Sequence, residues 1–520
     1  MKRREFLKGV AASAAGAASA NATSVISDDL MNSEDAPITA SHFGAVRALR
    51  RNGKFEGVLS ESELDFFPIS LTQGLAARTY DATRIARPCV RKGYLEKGWQ
   101  SDKSMRGKDE WIEISWDEAY KLVADELKRV LKDHGASSIY GGSYGWYSVG
   151  SVNNPQTLLG RMLNIIGGYT TRKLNYSCHC ISAITPHISG TDEANALQTA
   201  WPTILKNSEA VLIWGADPIN TNQIAWAVPD HESYLYFAKL KEQMQKRGVK
   251  VITIDPVYNN TAKFLGSEHI SINPTTDVAM MMAICYEMMA QGLADEKFLK
   301  KYTHGAEEFK AYLRGESEDG LKKDAAWASK ICGVSEDEIR GLAKILGSKR
   351  TMIMCGWGPQ RAHHGEQFHW MATVLAAFVG QIGLAGGGYG FGYHYSDGGC
   401  PSPAAPVGSA LSLTSGAATT SSAFPGLGSM SIVPASEGEW KNRDNIAIPV
   451  SRIVDCINNP GKEIDFNCKK MTYPNIKLAY WAGGNPYMHH PDTNLLARTF
   501  EKLDTFIVQE CFWTASARMA

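Results

Sequence analysis

Apolar residues recur along this chain in two rhythms. Unbroken runs such as Ala210-Val211-Leu212-Ile213-Trp214, Val249-Lys250-Val251-Ile252-Thr253-Ile254, Thr351-Met352-Ile353-Met354-Cys355 and Lys477-Leu478-Ala479-Tyr480-Trp481-Ala482 predict buried strands. His269-Ile270-Ser271-Ile272 and Thr505-Phe506-Ile507-Val508 predict two more. Between them lie stretches of helical spacing. Ala119, Leu122, Val123 and Leu127 share one helix face behind Trp116-Asp117-Glu118. A second helix spans 232–247 and stops near Gly248, a third starts at Thr276-Asp277, and others run through 335–346. The run Met280-Met281-Met282 in the third is read as core packing. Strands alternating with helices argue for parallel, doubly wound α/β sheets.

The first hundred residues differ. Ala45–Leu49 and Gly57–Leu59 read as strands joined at Asn52-Gly53, a hairpin signal, so a small β-rich domain is expected over 41–100 with part of 395–475. An α/β domain is expected over 101–200 and continued by 476–520, and a doubly wound domain over 201–394. Residues 383–430 are rich in Gly, Ser, Pro and Ala, which predicts a loop with little regular structure.

Composition narrows the function classes. Lys plus Arg balances Asp plus Glu at 54 each, which leaves no basic footprint for nucleic acid. No apolar run past the N-terminus is long enough to span a membrane. Ten cysteines make no repeated pair spacing, Cys-x-x-Cys-His is absent, and only Cys89 precedes Gln100, so neither a c-type haem nor an N-terminal four-cysteine cluster is expected. Lys2-Arg3-Arg4-Glu5-Phe6-Leu7-Lys8, an Ala-rich stretch and Ala18-Ser19-Ala20 resemble a twin-arginine export signal with its cleavage site over 1–20, which predicts a periplasmic protein.

Candidate chemistry gathers where strands end. Gly142-Ser143-Tyr144-Gly145-Trp146 follows Ser138-Ile139-Tyr140 and places a phenol and an indole at a carboxyl edge, both able to donate. About thirty residues on, Tyr176-Ser177-Cys178-His179-Cys180 puts a hydroxyl beside two thiols, a pattern open to a metal, a nucleophile or a redox group. Adjacent residues rarely ligate one ion together, which disfavours zinc here. Asp217-Pro218 and Asp255-Pro256 put carboxylates at two further strand ends, and Pro274-Thr275-Thr276-Asp277 offers N–H groups at a helix start. No Gly-x-Gly-x-x-Gly follows a strand as a nicotinamide or flavin site requires.

Gly-Ser-Tyr-Gly-Trp and the later Tyr-Ser resemble the active-site segments of the dimethyl sulfoxide/trimethylamine N-oxide reductase family of molybdenum enzymes, and the likeness extends from about Ser41 to the last residue. The resemblance implies a bis(molybdopterin guanine dinucleotide) molybdenum cofactor. It implies Ser177 as the metal ligand, with Cys178 as competitor; Cys178-His179-Cys180 departs from the small residues usual there. Trp146 would donate its N–H toward the oxygen being moved, and Tyr144 would hold the substrate oxygen and favour sulfoxides or a broad range of S- and N-oxides. Cofactor contacts are implied for Trp146, Ser177, Trp214, Asp217, Asn222, Gln223, Ile254, Asp255, Pro256, Thr275, Asp277, Gly356, Trp357, Gln360, Arg361, His364, Gly484, Asn485 and His490.

The implied activity is oxygen removal from an S-oxide or N-oxide, with electrons from a c-type cytochrome and cofactor insertion assisted by a cytoplasmic maturation chaperone. Because Trp513-Thr514-Ala515 corresponds to an internal stretch of the family, a further C-terminal cofactor-binding domain is expected beyond Ala520. Three other readings remain open at this point: a biotin or methionine sulfoxide reductase, a periplasmic solute-binding protein, and an inactive truncated relative.

Overall fold

A computed structural model describes residues 37–65, 70–142, 155–174, 176–225, 230–395, 397–401 and 446–520. The chain forms two compact units, the first built mainly from 177–408 and the second mainly from 73–176 and the C-terminal segment.

The first unit is organised on a five-stranded sheet in the order Glu268–Ile270, Lys250–Ile254, Ala210–Trp214, Thr351–Cys355, Gly388–Phe391. Every pairing in it is parallel. Alternation along each strand splits the side chains between two faces. Leu212, Trp214, Ile252, Ile254, Ile353 and Cys355 enter one core, under helices Asp277–Ala290, Glu336–Ser348 and Glu366–Val379. Val211, Ile213, Val251, Met352 and Met354 enter the other, under helices Trp201–Asn207 and Glu232–Arg247. A sheet covered on both faces cannot alternate apolar with polar, which is why these strands read as unbroken apolar runs. Met280 and Met281 are fully buried in the first core, as the sequence suggests.

Local signals fix the helix ends. Ser335 and Glu338 close a capping box on Glu336–Ser348, satisfying two N–H groups the first turn leaves unpaired. Glu232–Arg247 stops at Gly248, whose φ of 67° is left-handed. One expectation is corrected: the Gly-rich tract that begins at 383 is not all loop, because Gly388–Phe391 is the edge strand of this sheet, paired with Met352 to Cys355.

The second unit repeats the plan on a smaller scale. Thr505–Gln509, Leu478–Ala482 and Ile139–Gly142 form a parallel sheet in that order. A parallel bridge from Tyr140 to Thr170 connects it to the pair Thr171–Lys173 and Ala447–Pro449. Tyr140, Ala479, Trp481 and Phe506 face one core; Ile139, Leu478, Tyr480 and Ala482 face the other, which includes Leu127 and Val130 of helix Trp116–His134. Gly141 and Gly142 belong to the strand rather than to a turn. A Cβ on Gly142 would lie 2.1 Å from the Trp481 ring and one on Gly141 2.3 Å from Tyr169, so glycine here permits close packing. Near the N-terminus, Ile38–Ser41, Gly44–Arg51 and Lys54–Ser60 make a three-stranded sheet, with Asn52 and Gly53 at φ of 49° and 75° as the hairpin demands.

Candidate functional site: the carboxyl edges of two parallel sheets

In the first unit the chain places its second and third strands on one side of Ala210–Trp214 and its fourth and fifth on the other. The connections leaving Trp214 and Cys355 therefore diverge, and a crevice opens outside such a pair. Register pairs Cys355 with Trp214, Trp214 with Ile254 and Cys355 with Phe391, so the strand ends lie level. The two central turns are in contact. Gly356 N–H donates to the Trp214 carbonyl at 2.8 Å, and a Cβ on Gly356 would meet the Gly215 carbonyl oxygen at 2.1 Å.

This edge brings together fourteen of the expected site residues or their immediate neighbours, and it uses several of them structurally. Trp214 donates its indole N–H to Asp277 Oδ1 at 2.7 Å. Burial raises the Asp277 carboxyl above its ordinary value, and the indole bond partly offsets this. Asp217 Oδ1 accepts from the Thr261 N–H at 2.9 Å and hydroxyl at 2.7 Å, fastening its turn to helix Asn260–Leu265. Asp255 accepts from Val257 N–H at 2.9 Å, and burial raises its carboxyl too. Ile254 is buried and Pro256 exposed beside it. Thr275 is exposed at φ 67°, a conformation strained for a β-branched residue.

Gln223 lies beside Asn222 and donates to Asn220 Oδ1 at 3.0 Å. Trp357 donates to Asn195 Oδ1 at 3.1 Å and sets its ring edge-on to His394. Gln360 is buried against the Ser177 turn. Arg361 and His364 are exposed, His364 at φ 58°.

The edge also carries buried polar atoms without a protein partner. Asn222 gives its amide N–H to the Tyr393 carbonyl at 3.2 Å, but its Oδ1 has none. Nor do Nδ1 of His394 and Nδ1 of His369, whose Nε2 donates to the Gly356 carbonyl at 3.1 Å. Buried polar atoms are ordinarily paired, so three orphans around one crevice fit a polar ligand. His369, His394 and Asn195 escaped the sequence reading. The signal that could have found His394 is Gly392-Tyr393-His394-Tyr395 directly after a strand, hidden inside a tract read as loop.

Ser177 is half-buried in the turn before helix His179–Ser189 and belongs to the first unit. Tyr144 and Trp146 lie outside the described residues, as does the segment 1–20. The strand that leads to them, Ile139–Gly142, ends level with Trp481 on the carboxyl edge of the second sheet. Gly484, Asn485 and His490 sit on that same edge, after Leu478–Ala482. Asn485 Oδ1 accepts from Ser516 N–H at 3.2 Å. His490 Nδ1 and Tyr176 Oη are 3.2 Å apart, and burial lowers the His490 imidazole below its usual range, favouring the neutral ring. Tyr140 Oη and Trp481 Nε1 are buried and unpartnered beneath this edge. Among the described residues, no three His, Cys, Asp or Glu side chains form a metal-binding group, and no helix is long and apolar enough to cross a membrane.

Comparison with known proteins agrees with the fold. The chain is 43% identical over 484 residues to a dimethyl sulfoxide/trimethylamine N-oxide reductase of Rhodobacter capsulatus, covering 93% of this chain and 56% of that protein. It is 42% identical to a trimethylamine-N-oxide reductase of Haemophilus influenzae, covering 100% of this chain and 61% of the relative. The chain thus spans about three fifths of the length of these curated relatives. Acetylene hydratase from Pelobacter acetylenicus shares the fold at a TM-score of 0.58 and 17% identity, over 93% of this chain and 62% of that one. Residues 84–520 match the molybdopterin oxidoreductase family, and with two doubly wound parallel sheets and a polar crevice at the strand ends, the chain belongs to that family, whose cofactor is a molybdenum–pterin.

Proposed function

We propose that the whole protein is a periplasmic reductase that takes an oxygen atom from an S-oxide or N-oxide, using molybdenum held by two molybdopterin guanine dinucleotides. The observation that carries this reading is the crevice beyond Trp214 and Cys355, where Asn222 Oδ1, His369 Nδ1 and His394 Nδ1 are buried and unsatisfied. It is supported by the names of the relatives reported above. When bound, the cofactor supplies the two-electron redox chemistry that the polypeptide lacks.

The chain's own residues bind and orient. The turns at Asp217, Asn222, Gln223, Ile254, Asp255, Pro256, Thr275 and Asp277 would receive one nucleotide arm, together with Gly356, Trp357, Arg361 and His364. Gly484, Asn485 and His490 would face another part of the group. Neutral His490 offers a ring nitrogen without bringing a charge. Ser177 would give a hard anionic oxygen to the metal. Trp146 would donate its indole N–H to the oxygen in transit, and Tyr144 its hydroxyl to the substrate oxygen, both acting where charge develops. The tyrosine would tilt the preference toward sulfoxides or a broad range of S- and N-oxides. Electrons would come from a c-type cytochrome. Export by the twin-arginine route would follow chaperone-assisted loading in the cytoplasm.

The test is elemental and nucleotide analysis of full-length protein produced in its own host, with turnover of several S- and N-oxides. Molybdenum with about two guanines per chain is the expected result. Protein that folds, contains neither and reduces none of the oxides would refute the reading.

A further inference from the structure

We infer that Gln360 is a positioning residue that holds the Ser177 turn, rather than a ligand of the cofactor; this rests on the proposed role of Ser177. Gln360 is 2% exposed, and both ends of its amide are used within the first unit. Nε2 donates to the Ser177 carbonyl at 2.5 Å, and Oε1 accepts from the Ile181 N–H at 3.1 Å. Its backbone carbonyl accepts a third bond, from Cys180 Sγ at 3.5 Å.

The helix His179–Ser189 explains why such a partner is needed. A helix leaves its first N–H groups unpaired, and the side chain at N-cap ordinarily takes one. Cys178 occupies that position and makes no such bond. Gln360, 179 residues from Ile181 along the chain, takes the Ile181 N–H instead. The amide does both jobs at once, whereas a carboxylate cannot donate to a carbonyl and a hydrocarbon can do neither. The clamp is itself held in place. A Cβ on Gly365 would lie 1.7 Å from the Gln360 carbonyl oxygen, so glycine is what lets the loop from Gly358 to Gly365 close over it. The side chain that orients the proposed metal ligand thus leaves the same strand-end loop, after Thr351–Cys355, that lines the crevice.

Two substitutions in the full-length, host-loaded protein separate the functions of the amide. Gln360→Glu keeps the acceptor for Ile181 and loses the donor to Ser177. It is expected to leave Ile181 amide exchange within about two-fold of the parent, shift the electronic spectrum of the metal, and lower kcat about ten-fold or more with KM little changed. Gln360→Leu loses both bonds and is expected to speed Ile181 exchange at least about ten-fold as well. A parental metal spectrum and kcat in Gln360→Glu would overturn the inference, as would unchanged Ile181 exchange in Gln360→Leu. Ser177→Ala is the control. If it alters neither metal content nor spectrum, the ligand assignment fails, while Ile181 exchange still decides the clamp.

Discussion

The indole N–H of Trp214 is spent on the carboxylate of Asp277, 63 residues further on, at 2.7 Å between two buried residues. The bond ties the end of strand Ala210–Trp214 to the first residue of helix Asp277–Ala290. An indole can only donate and a carboxylate can only accept, so the two are matched partners, and the Asp277 carboxylate also accepts from its own backbone N–H. Trp214→Phe is expected to destabilise the chain by about 2–4 kcal/mol, because it leaves a buried carboxylate short of a donor and opens a small cavity. Asp277→Asn keeps an acceptor for the indole and is expected to cost less than about 1.5 kcal/mol. Denaturant unfolding of both variants distinguishes them, and equal losses would argue against the bond as the source of stability.

The contact of the two central turns yields a second prediction. A Cβ at Gly356 would stand 2.1 Å from the Gly215 carbonyl oxygen, whereas one at Gly358 would stand 3.3 Å from the same atom. The first cannot be relieved by a rotamer change, since the obstacle is backbone. Gly356→Ala is expected to cost about 2 kcal/mol or more and Gly358→Ala less than about 1 kcal/mol. Thermal unfolding reads the difference directly; comparable effects would show that the turns separate easily.

Acid sensitivity is the third. Burial pushes the His369 imidazole down to about 3 and His394 to about 4. The unfolded chain protonates both near 6.5. Between that value and the folded ones the unfolded state binds more protons, so stability is fully present above about pH 6.5 and falls as pH is lowered. His369→Gln can still donate to the Gly356 carbonyl but no longer titrates. Its melting temperature should fall less steeply over pH 6.5 to 4, by about one proton's worth of slope. A slope equal to the parent's would mean that His369 is accessible to protons in the fold.

In the second unit, Arg129 holds Glu126 with two parallel bonds of 2.8 Å and Asp504 with a third of 3.0 Å. Glu126 is 6% exposed, and the Thr505 hydroxyl donates to it as well. The Arg129 guanidinium also stacks 4.4 Å from the Trp99 ring centre. Arg129→Ala strands a buried carboxylate and is expected to cost about 3–5 kcal/mol. Arg129→Lys keeps the charge but loses the fork and the stacking, and should recover only part of this, about half. A lysine variant as stable as the parent would show that charge alone matters.

Much of this was readable in the sequence because it is written over short spans. Runs such as Ala210–Trp214 and Thr351–Cys355 announce strands buried on both faces, and Ser335 with Glu338 announces a helix start. Glycine and Asp-Pro turns at strand ends mark the carboxyl edge, where Trp214, Asp217, Gly356 and Trp357 do lie. The alternation of strand and helix gives parallel sheets, since each crossover returns the chain to the same edge.

What tertiary structure alone decided is which distant groups meet. That Trp214 is consumed by Asp277, Asp217 by Thr261, and Gln360 by Ser177 and Ile181 could not be read from any local window. Gly388–Phe391 has the composition of a loop and becomes a strand because the edge of Thr351–Cys355 offers unpaired backbone groups. Periodicity and turn chemistry act over about ten residues, and they fix elements and the side each presents. Strand order, the depth of a histidine, and the partner of a buried amide depend on hydrogen bonds and desolvation between segments far apart in the chain, and these exist only once it has folded.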